Sequence, residues 1–527
     1  MDHSPIVEQM TRPDFYPHRP QTVEAVQTHI SYVFIAGDHV YKVKKPVNFG
    51  FLDFTTLEKR KFYCEEELRL NKRLAPSIYL DVVPIGQDGA GRLTLGKTTN
   101  IVEYAVLMNK LPLDKMLKIL LARGKADAGI MDAVAEKIAR FHKEAQTGGR
   151  IDEMGSAAVI RHNHEENFAQ TEKYIDVTLS AFQHAFLKAY AETFLTVNAG
   201  LLARRVAEHK IRDCHGDLHL EHICVADEMI VFDCIEFNER FRFTDVAAEV
   251  AFLTMDLDYN GYFSQSMDFV RSYLKYSGDE DLRALLNFYR CYYAFVRGKV
   301  TSFRLDQKEL PQAERENILR VASRYFDLAC TYASRLEKPA LILTAGLIGS
   351  GKSYQARDLS GRLGAEVIRT DVLRKELLQI APHAKHHESF GQGIYAGDIT
   401  RKTYEKAVEL AAEKIGRGIP VILDASFRCR ADRTMAADMA RKLGVPFYVI
   451  ECTCPDDVVK IRLEKRMLDP ENPSDGRWEI LEEQKKQYEA ITEIPRSRLF
   501  QIDTSNSPER VRQQIVSSIK MAELSRS

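Results

Sequence analysis

The sequence has no surplus of either charge. Lys and Arg number 74 against 75 Asp and Glu, leaving a net charge of −1 over 527 residues. A protein coated in nucleic acid usually carries a basic excess, so that class is disfavoured, although one local basic cleft is compatible with the balance. Long apolar runs are missing too. LILTAGLIG is the nearest and is too short to span a bilayer, so no membrane partner is expected. The first twenty residues, MDHSPIVEQMTRPDFYPHRP, show no apolar h-region, and no signal peptide is expected. The nine cysteines are scattered, and Cys452-x-Cys454 has no partner pair at zinc-site spacing. That excludes a small disulfide framework and points to free thiols in a reducing, cytoplasmic setting. Internal repeats and long low-complexity tracts are also lacking.

What is present is length and pattern. A chain of 527 residues suggests two to four domains, and 45% hydrophobic content is ordinary for soluble globular protein. Residues 31–45, SYVFIAGDHVYKVKK, read as two strands around Gly37-Asp38. Residues 55–75 read as a helix capped by Thr55 or Thr56 and ended by Pro76. Strands are expected at 79–85 and 101–107, and helices over most of 114–210. A hairpin of ICV and MIVFD follows, then helices over 244–335. From Lys338-Pro339 onward, the runs LILTA, AEVIRT, VILDA, FYVIEC and LFQID alternate with helical segments. That pattern predicts a parallel sheet covered by helices. The expected domains are 1–335 and 336–527.

The first chemical constellation lies in the N-terminal part. Residues 215–225 read HGDLHLEHICV. Phosphoryl transfer to a hydroxyl needs a carboxylate for the hydroxyl proton, divalent metal on the phosphates and a Lys on the nucleotide. Asp217 can supply the first, from a polar loop. Asp233 ends the run IVF and can supply a metal carboxylate. Lys42 and Lys44 are two apart on a strand, so they share a face, and either can reach phosphate. Glu66 is the expected ion-pair partner of that Lys, with Glu67 turned away. HGD alone is a short motif; its conjunction with the strand lysines, the helix glutamate and Asp233 carries the argument.

Over roughly 30–330 this order resembles the aminoglycoside phosphotransferase-like branch of the protein-kinase fold. VFDCIEF, followed by Asp245 and AAEVAFL, extends the resemblance, which implies a bilobal domain. It also implies that Asp217 is the catalytic base, Asp233 a metal ligand and Asp245 a structural residue ahead of an apolar helix. His222 departs from it. The family's Asn there gives a carbonyl oxygen to a second metal ion; a neutral imidazole also ligates metal but prefers softer ions than magnesium. His215, His219 and His222 can also be read as a zinc cluster, but their order inside a catalytic-loop motif speaks against that.

The second constellation is GLIGSGKS: Gly346, Leu347, Ile348, Gly349, Ser350, Gly351, Lys352 and Ser353. It matches G-x-x-x-x-G-K-S in full, between a predicted strand and a predicted helix. Backbone N–H groups would cradle ATP phosphates, Lys352 would reach the β/γ-phosphates, and the Ser353 hydroxyl would reach Mg2+. Asp371 and Asp424 follow apolar runs and should emerge at the carboxyl edge of the sheet, beside this loop. One can act on a substrate hydroxyl and the other can order Mg2+. Asp424 alone also fits a simple ATPase, whereas Asp371 with Arg374 favours a kinase. Arg462 and Arg466 share a helix face, and the segment LDPENPSDGR after them reads as a lid; a solvated basic face is the alternative.

Residues 339–527 resemble small P-loop kinases of the gluconate-kinase, zeta-toxin, chloramphenicol-phosphotransferase and polynucleotide-kinase group. The resemblance implies a three-layer α/β/α domain, Asp371 as general base, and Arg462 and Arg466 as lid arginines. DASFRCRADR, with Arg428, Arg430 and Arg433, is most similar to the polynucleotide-kinase side; those arginines can bind a substrate anion or be surface charges. The whole chain resembles bacterial proteins that join the two domain types. The expectation is a bifunctional ATP- and Mg2+-dependent phosphotransferase acting on a small-molecule hydroxyl. The alternatives are an N-terminal ligand-sensing module and a polynucleotide 5′-hydroxyl kinase. Neither the acceptors nor the oligomeric state is legible.

Overall fold

The alternation of apolar runs with turns is realised strand by strand in the computed structural model. It describes residues 5–96, 100–307, 309–381, 392–467 and 478–524, with residues 466, 467 and 479 described by backbone alone. Two compact units divide the chain: Met1–Asn167 with Ala199–Arg297, and Phe168–Asn198 with Gly298–Ser527.

The first unit opens with an antiparallel sheet of β1 (Val23–Gln27), β2 (Ser31–Ala36), β3 (His39–Lys44), β4 (Tyr79–Gln87), β5 (Leu93–Leu95) and β6 (Ile101–Asn109), in the order β1-β2-β3-β6-β4-β5. Gly37 takes a left-handed φ of 64° at the β2–β3 turn, a conformation glycine adopts without steric cost. The period-2 alternation sends Phe34, Ala36, Tyr41 and Val43 into one core. The helix Leu57–Asn71 starts at Thr56, whose hydroxyl accepts from the Lys59 amide at 3.3 Å. Its Cys64 packs with Tyr79, Val106 and Met108 of β4 and β6.

Further along, β7 (Ile211–Asp213), the hairpin β8 (Ile223–Val225) with β9 (Met229–Val231), and β10 (Phe243–Asp245) frame the HGD loop; β7 pairs antiparallel with β10. The apolar helix Val246–Tyr259 is buried along nearly its whole length, as expected of a helix with no polar face. Asp245 caps it, accepting from the Ala247 amide at 2.8 Å, and takes two 2.6 Å bonds from the buried Arg205. With the sheet, the helix glutamate and this loop in place, the unit has a protein-kinase-like fold.

The second unit holds β11 (Leu341–Ala345), β12 (Glu366–Arg369), β13 (Val421–Asp424), β14 (Phe447–Thr453) and β15 (Leu499–Asp503). All neighbours are parallel, in the order β12-β13-β11-β14-β15. The five runs read from sequence are these five strands. The order reverses at β11, and ligands bind outside the carboxyl ends of strands at such a point. This unit reaches beyond 336–527. The helices Ala181–Val197 and Gln312–Ser334 are linked by Gln183 donating to Asp327 at 2.9 Å. They also meet the helix Pro508–Leu524: the Lys520 ammonium lies 5.5 Å from the Tyr190 ring and donates to the Arg335 carbonyl at 2.7 Å. The sheet begins near the expected boundary, but the packing gathers earlier helices around it.

Seven of the nine cysteines are buried and none is disulfide-bonded. Among the described residues, no helix is long and apolar enough to cross a membrane.

Candidate active sites

In the first unit the strand lysines, the helix and the HGD loop converge. Lys42 Nζ lies 2.6 Å from Asp233 Oδ1 and 2.8 Å from Glu67 Oε1. Lys44 Nζ donates to Glu67 at 2.8 Å and also to Glu236. Glu67 is therefore the lysine partner. The expected Glu66 instead pairs with Arg69 on the helix surface, at 2.7 Å. The buried face of the helix runs Arg60, Cys64, Glu67, Asn71; an i, i+3, i+7 count from Cys64 would have found Glu67, whereas counting from Leu70 selected Glu66. The two lysines also separate. Lys44 is enclosed, at 1% side-chain exposure, between two glutamates, whereas Lys42 keeps 15%. Of the two, Lys42 is the lysine that keeps an accessible surface.

Asp217 and Asp233 face each other across His222. His222 Nδ1 is 3.6 Å from Asp217 Oδ2, and its Nε2 is 3.5 Å from Asp233 Oδ2. Burial alone would raise the Asp217 carboxyl, but the imidazoles of His219 and then His222 outweigh it, so the group is held well below the usual carboxylate range. Asp233 is held low in the same way, against burial, chiefly by Lys42. Asp233 has φ 63°, a left-handed conformation uncommon outside glycine that Asp tolerates. The loop itself hangs on Glu249, which sequence reading missed. One Glu249 oxygen accepts from the His215 and Gly216 amides at 2.8 and 2.7 Å; the other bonds His142 at 2.7 Å.

In the second unit the phosphate loop runs from the end of β11 into the helix Lys352–Leu363. Gly351 caps that helix with φ 89° and makes no side-chain cap bond, and the N-terminus of a helix suits an anion. Gly346, at φ 131°, could not be replaced without collision: a Cβ there would lie 2.3 Å from the Cys452 carbonyl oxygen. Lys352 Nζ lies over the loop, donating to the Leu347 carbonyl at 2.7 Å. The Ser350 hydroxyl is buried without a hydrogen-bond partner.

Asp424 ends β13. It accepts from Thr344 at 3.2 Å and lies 3.6 Å from Arg369 Nε. Asp371 sits in the first turn of the helix Thr370–Leu377, just past β12. Since Arg369 is paired with Asp424 in the β12–β13 register, both carboxylates stand at the carboxyl edge of the sheet, as expected. Burial, followed by the negative charge of Asp424, pushes the Asp371 carboxyl above its ordinary value, with Arg374, Arg369 and Lys352 opposing. Arg374 is turned to the Ile394 carbonyl and the Thr400 hydroxyl, each at 3.0 Å, and anchors this helix.

Arg462 reaches the loop by an unexpected route. It donates to the Thr504 hydroxyl at 2.9 Å and the Thr504 carbonyl at 2.6 Å, and that hydroxyl donates to the Ser350 carbonyl at 2.8 Å. Thr504 follows β15 and carries no sequence motif. The Arg466 side chain and the segment 468–477, expected to form the lid, lie outside the described residues. Of the DASFRCRADR arginines, Arg433 is fully buried. It bonds Glu493 at 2.5 Å and the Phe427 carbonyl at 2.8 Å. That excludes it as a ready anion ligand.

Ser353 and Asp424 offer oxygen donors, which suit Mg2+, as does Asp233. The imidazole of His222 suits softer ions than magnesium.

Residues 341–491 match the family model described as an AAA domain. Uncharacterized protein Rv2004c of Mycobacterium tuberculosis is 30% identical over 447 residues, covering 84% of this chain and 86% of that protein. Uncharacterized protein Mb2027c of Mycobacterium bovis matches with the same figures. Among solved structures, a gluconokinase from Sinorhizobium meliloti 1021 aligns at 18% identity and TM-score 0.26, over 35% of this chain and 94% of that one. The amicoumacin kinase hAmiN, in complex with AMP-PNP, Ca2+ and Ami, aligns at 13% identity and TM-score 0.38, over 62% and 94%. The C-terminal domain has a P-loop α/β fold, the N-terminal one a protein-kinase-like fold, and the chain belongs to the family of the mycobacterial proteins Rv2004c and Mb2027c.

Proposed function

We propose that this protein is an ATP-dependent phosphotransferase that moves a γ-phosphoryl group to the hydroxyl of a small molecule. The P-loop site is its principal catalyst, and the kinase-like site is a second phosphotransferase for another, or a successive, hydroxyl. The observation that carries the reading is the pair Asp371 and Asp424 at the mouth of the phosphate loop, with Asp371 held above its ordinary pKa by burial and by its neighbour. A carboxylate poised in that way is suited to take a hydroxyl proton. Lys352 and the loop amides orient the phosphates, and Arg462 steadies the loop through Thr504. Mg2+, when bound by Ser353 and Asp424, supplies charge neutralisation on the phosphates.

In the N-terminal site, Asp217 orients the acceptor hydroxyl, and Lys42, held by Glu67, meets the nucleotide. A reading of this unit as a ligand-sensing module is favoured by one observation, His222 at the position of the family's Asn. The polynucleotide-kinase reading loses support from Arg433, which is committed to Glu493. A small-molecule hydroxyl compound is the preferred acceptor, in a cytoplasmic setting and without a nucleic-acid or membrane partner.

The test uses the full chain, labelled ATP and a metabolite extract. Two acceptor sets are expected, one lost in Asp371→Asn and the other in Asp217→Asn. Label transferred only to 5′-hydroxyl oligonucleotides, or none lost in Asp371→Asn, refutes the proposal.

A further inference from the structure

The histidines of the HGDLHLEH loop do different jobs, and their backbone partners decide which. His215 uses both ring nitrogens: Nδ1 accepts from the Asp217 amide at 3.3 Å, and Nε2 donates to the Phe232 carbonyl at 2.9 Å. His219 Nδ1 accepts from the Glu221 amide at 3.3 Å. An amide N–H only donates, so the neutral ring carries its proton on Nε2, 3.5 Å from Asp217 Oδ2. Asp217, His219 and His222 each bring a ligand atom within 4.8 Å of the others, yet a nitrogen that holds a proton has no lone pair for an ion. His219 is a donor to Asp217.

His222 is the reverse. Its Nδ1 faces the Asp217 carbonyl at 2.9 Å. A carbonyl only accepts, so the proton sits on Nδ1 and Nε2 keeps its lone pair. A backbone carbonyl on the far nitrogen is the usual means of orienting a metal-ligating imidazole. The free Nε2 lies 3.5 Å from Asp233 Oδ2, while Lys42 holds the other oxygen, Oδ1, at 2.6 Å. Donors at that separation are spanned by one ion sitting about 2.0–2.2 Å from each, at a tetrahedral-like angle. The His222 ring also lies against His219, with centroids 3.9 Å apart, which fixes its plane.

We infer that His222 Nε2 and Asp233 Oδ2 form a two-point clamp for a divalent transition ion of the Mn2+ or Zn2+ class, in preference to Mg2+. The chemistry is that of the donor pair: imidazole suits the later first-row ions, whereas Mg2+ takes oxygen and keeps its water. The inference rests on the reading of residues 215–236 as a phosphoryl-transfer loop and refines it, giving the kinase-like site a metal preference different from that of the P-loop site, whose donors Ser353 and Asp424 are oxygens.

Pulsed EPR of the full-length protein with Mn2+ and a non-hydrolysable ATP analogue tests this. The expected result is the nitrogen modulation of a directly bound imidazole in the unaltered protein, retained in His219→Gln and lost in His222→Asn. In competition, Mg2+ should displace the bound Mn2+ more readily from His222→Asn than from the unaltered protein. Nitrogen coupling that survives His222→Asn, or that is absent from the unaltered protein, overturns the clamp. Neither readout requires turnover. Nitrogen coupling in a protein that transfers no phosphate would therefore defeat the kinase reading and leave the metal site standing.

Discussion

Asp217 and Asp371 are proposed for the same role in two unrelated folds, yet their surroundings push them in opposite directions. Asp217 lies beside the imidazoles of His219 and His222, which together outweigh burial and keep the carboxylate ionised. Asp371 lies beside another carboxylate, Asp424, and burial and repulsion together favour its protonated form. One site secures a permanent anion with imidazoles; the other holds a proton acceptor nearer its working range. The folds explain the contrast. A kinase-like loop gathers side chains from strand, helix and loop, whereas adjacent parallel strands deliver their final carboxylates side by side.

The largest test of that contrast is Asp371→Asn. It removes a proton acceptor and no nucleotide contact, so phosphoryl transfer from the P-loop site should fall roughly 10²–10⁴-fold. ATP affinity, measured by calorimetry with Asp217→Asn as the background, should stay nearly unchanged. A loss confined to affinity would show that Asp371 belongs to the nucleotide and not to the acceptor.

A comparable effect on stability is expected in the first unit. Arg205 is fully buried between Asp245, at 2.6 Å, and Asp279, at 2.8 Å. Removing one partner of such a network strands buried charge and costs about 3–5 kcal/mol. Arg205→Ala should unfold the kinase-like unit at lower denaturant while the P-loop unit keeps its transition. Two-probe unfolding of the full chain reads this; one shared, unshifted transition contradicts it.

The pH dependence separates the bases next. Asp371 works as the carboxylate, and its pKa is raised, so Asp371-dependent turnover should rise with pH along an acid limb above the ordinary carboxylate value. Asp424→Asn removes the like charge and should move that limb to lower pH. Asp217 is lowered, so Asp217-dependent turnover should show no Asp217 limb in the same window. Rate profiles of Asp217→Asn and Asp371→Asn isolate the two. Coincident acid limbs would remove the electrostatic difference argued here.

The sequence announced the parallel sheet and the phosphate loop because each is written in contiguous residues: five apolar runs and one eight-residue motif. It announced the HGD loop and Asp233 for the same reason. What it hid depends on residues far apart in the chain. Glu249 holds the HGD loop from 34 residues downstream of His215, and Thr504 holds the phosphate loop 154 residues from Ser350. The arginines after Asp424 read alike in one dimension, yet Arg433, one turn into its helix, is buried, and Arg430, at the exposed helix start, faces solvent.

Helix phase sets the smallest predicted effect, the contrast between Glu66 and Glu67. Glu66 pairs with the exposed Arg69 three residues on, a surface contact worth little in water, so Glu66→Gln should change stability by no more than about 0.5 kcal/mol and leave nucleotide binding alone. Glu67→Gln acts on two lysines at once. Lys44 would keep Glu236, but Lys42 would keep only Asp233 and be drawn wholly toward it. Nucleotide affinity of the kinase-like site should fall in Glu67→Gln and hold in Glu66→Gln, as read by ATP-analogue titration in a Lys352→Ala background. Equal affinities in the two variants would mean that the Lys42–Glu67 pair holds the sheet to the helix and has no part in receiving the nucleotide.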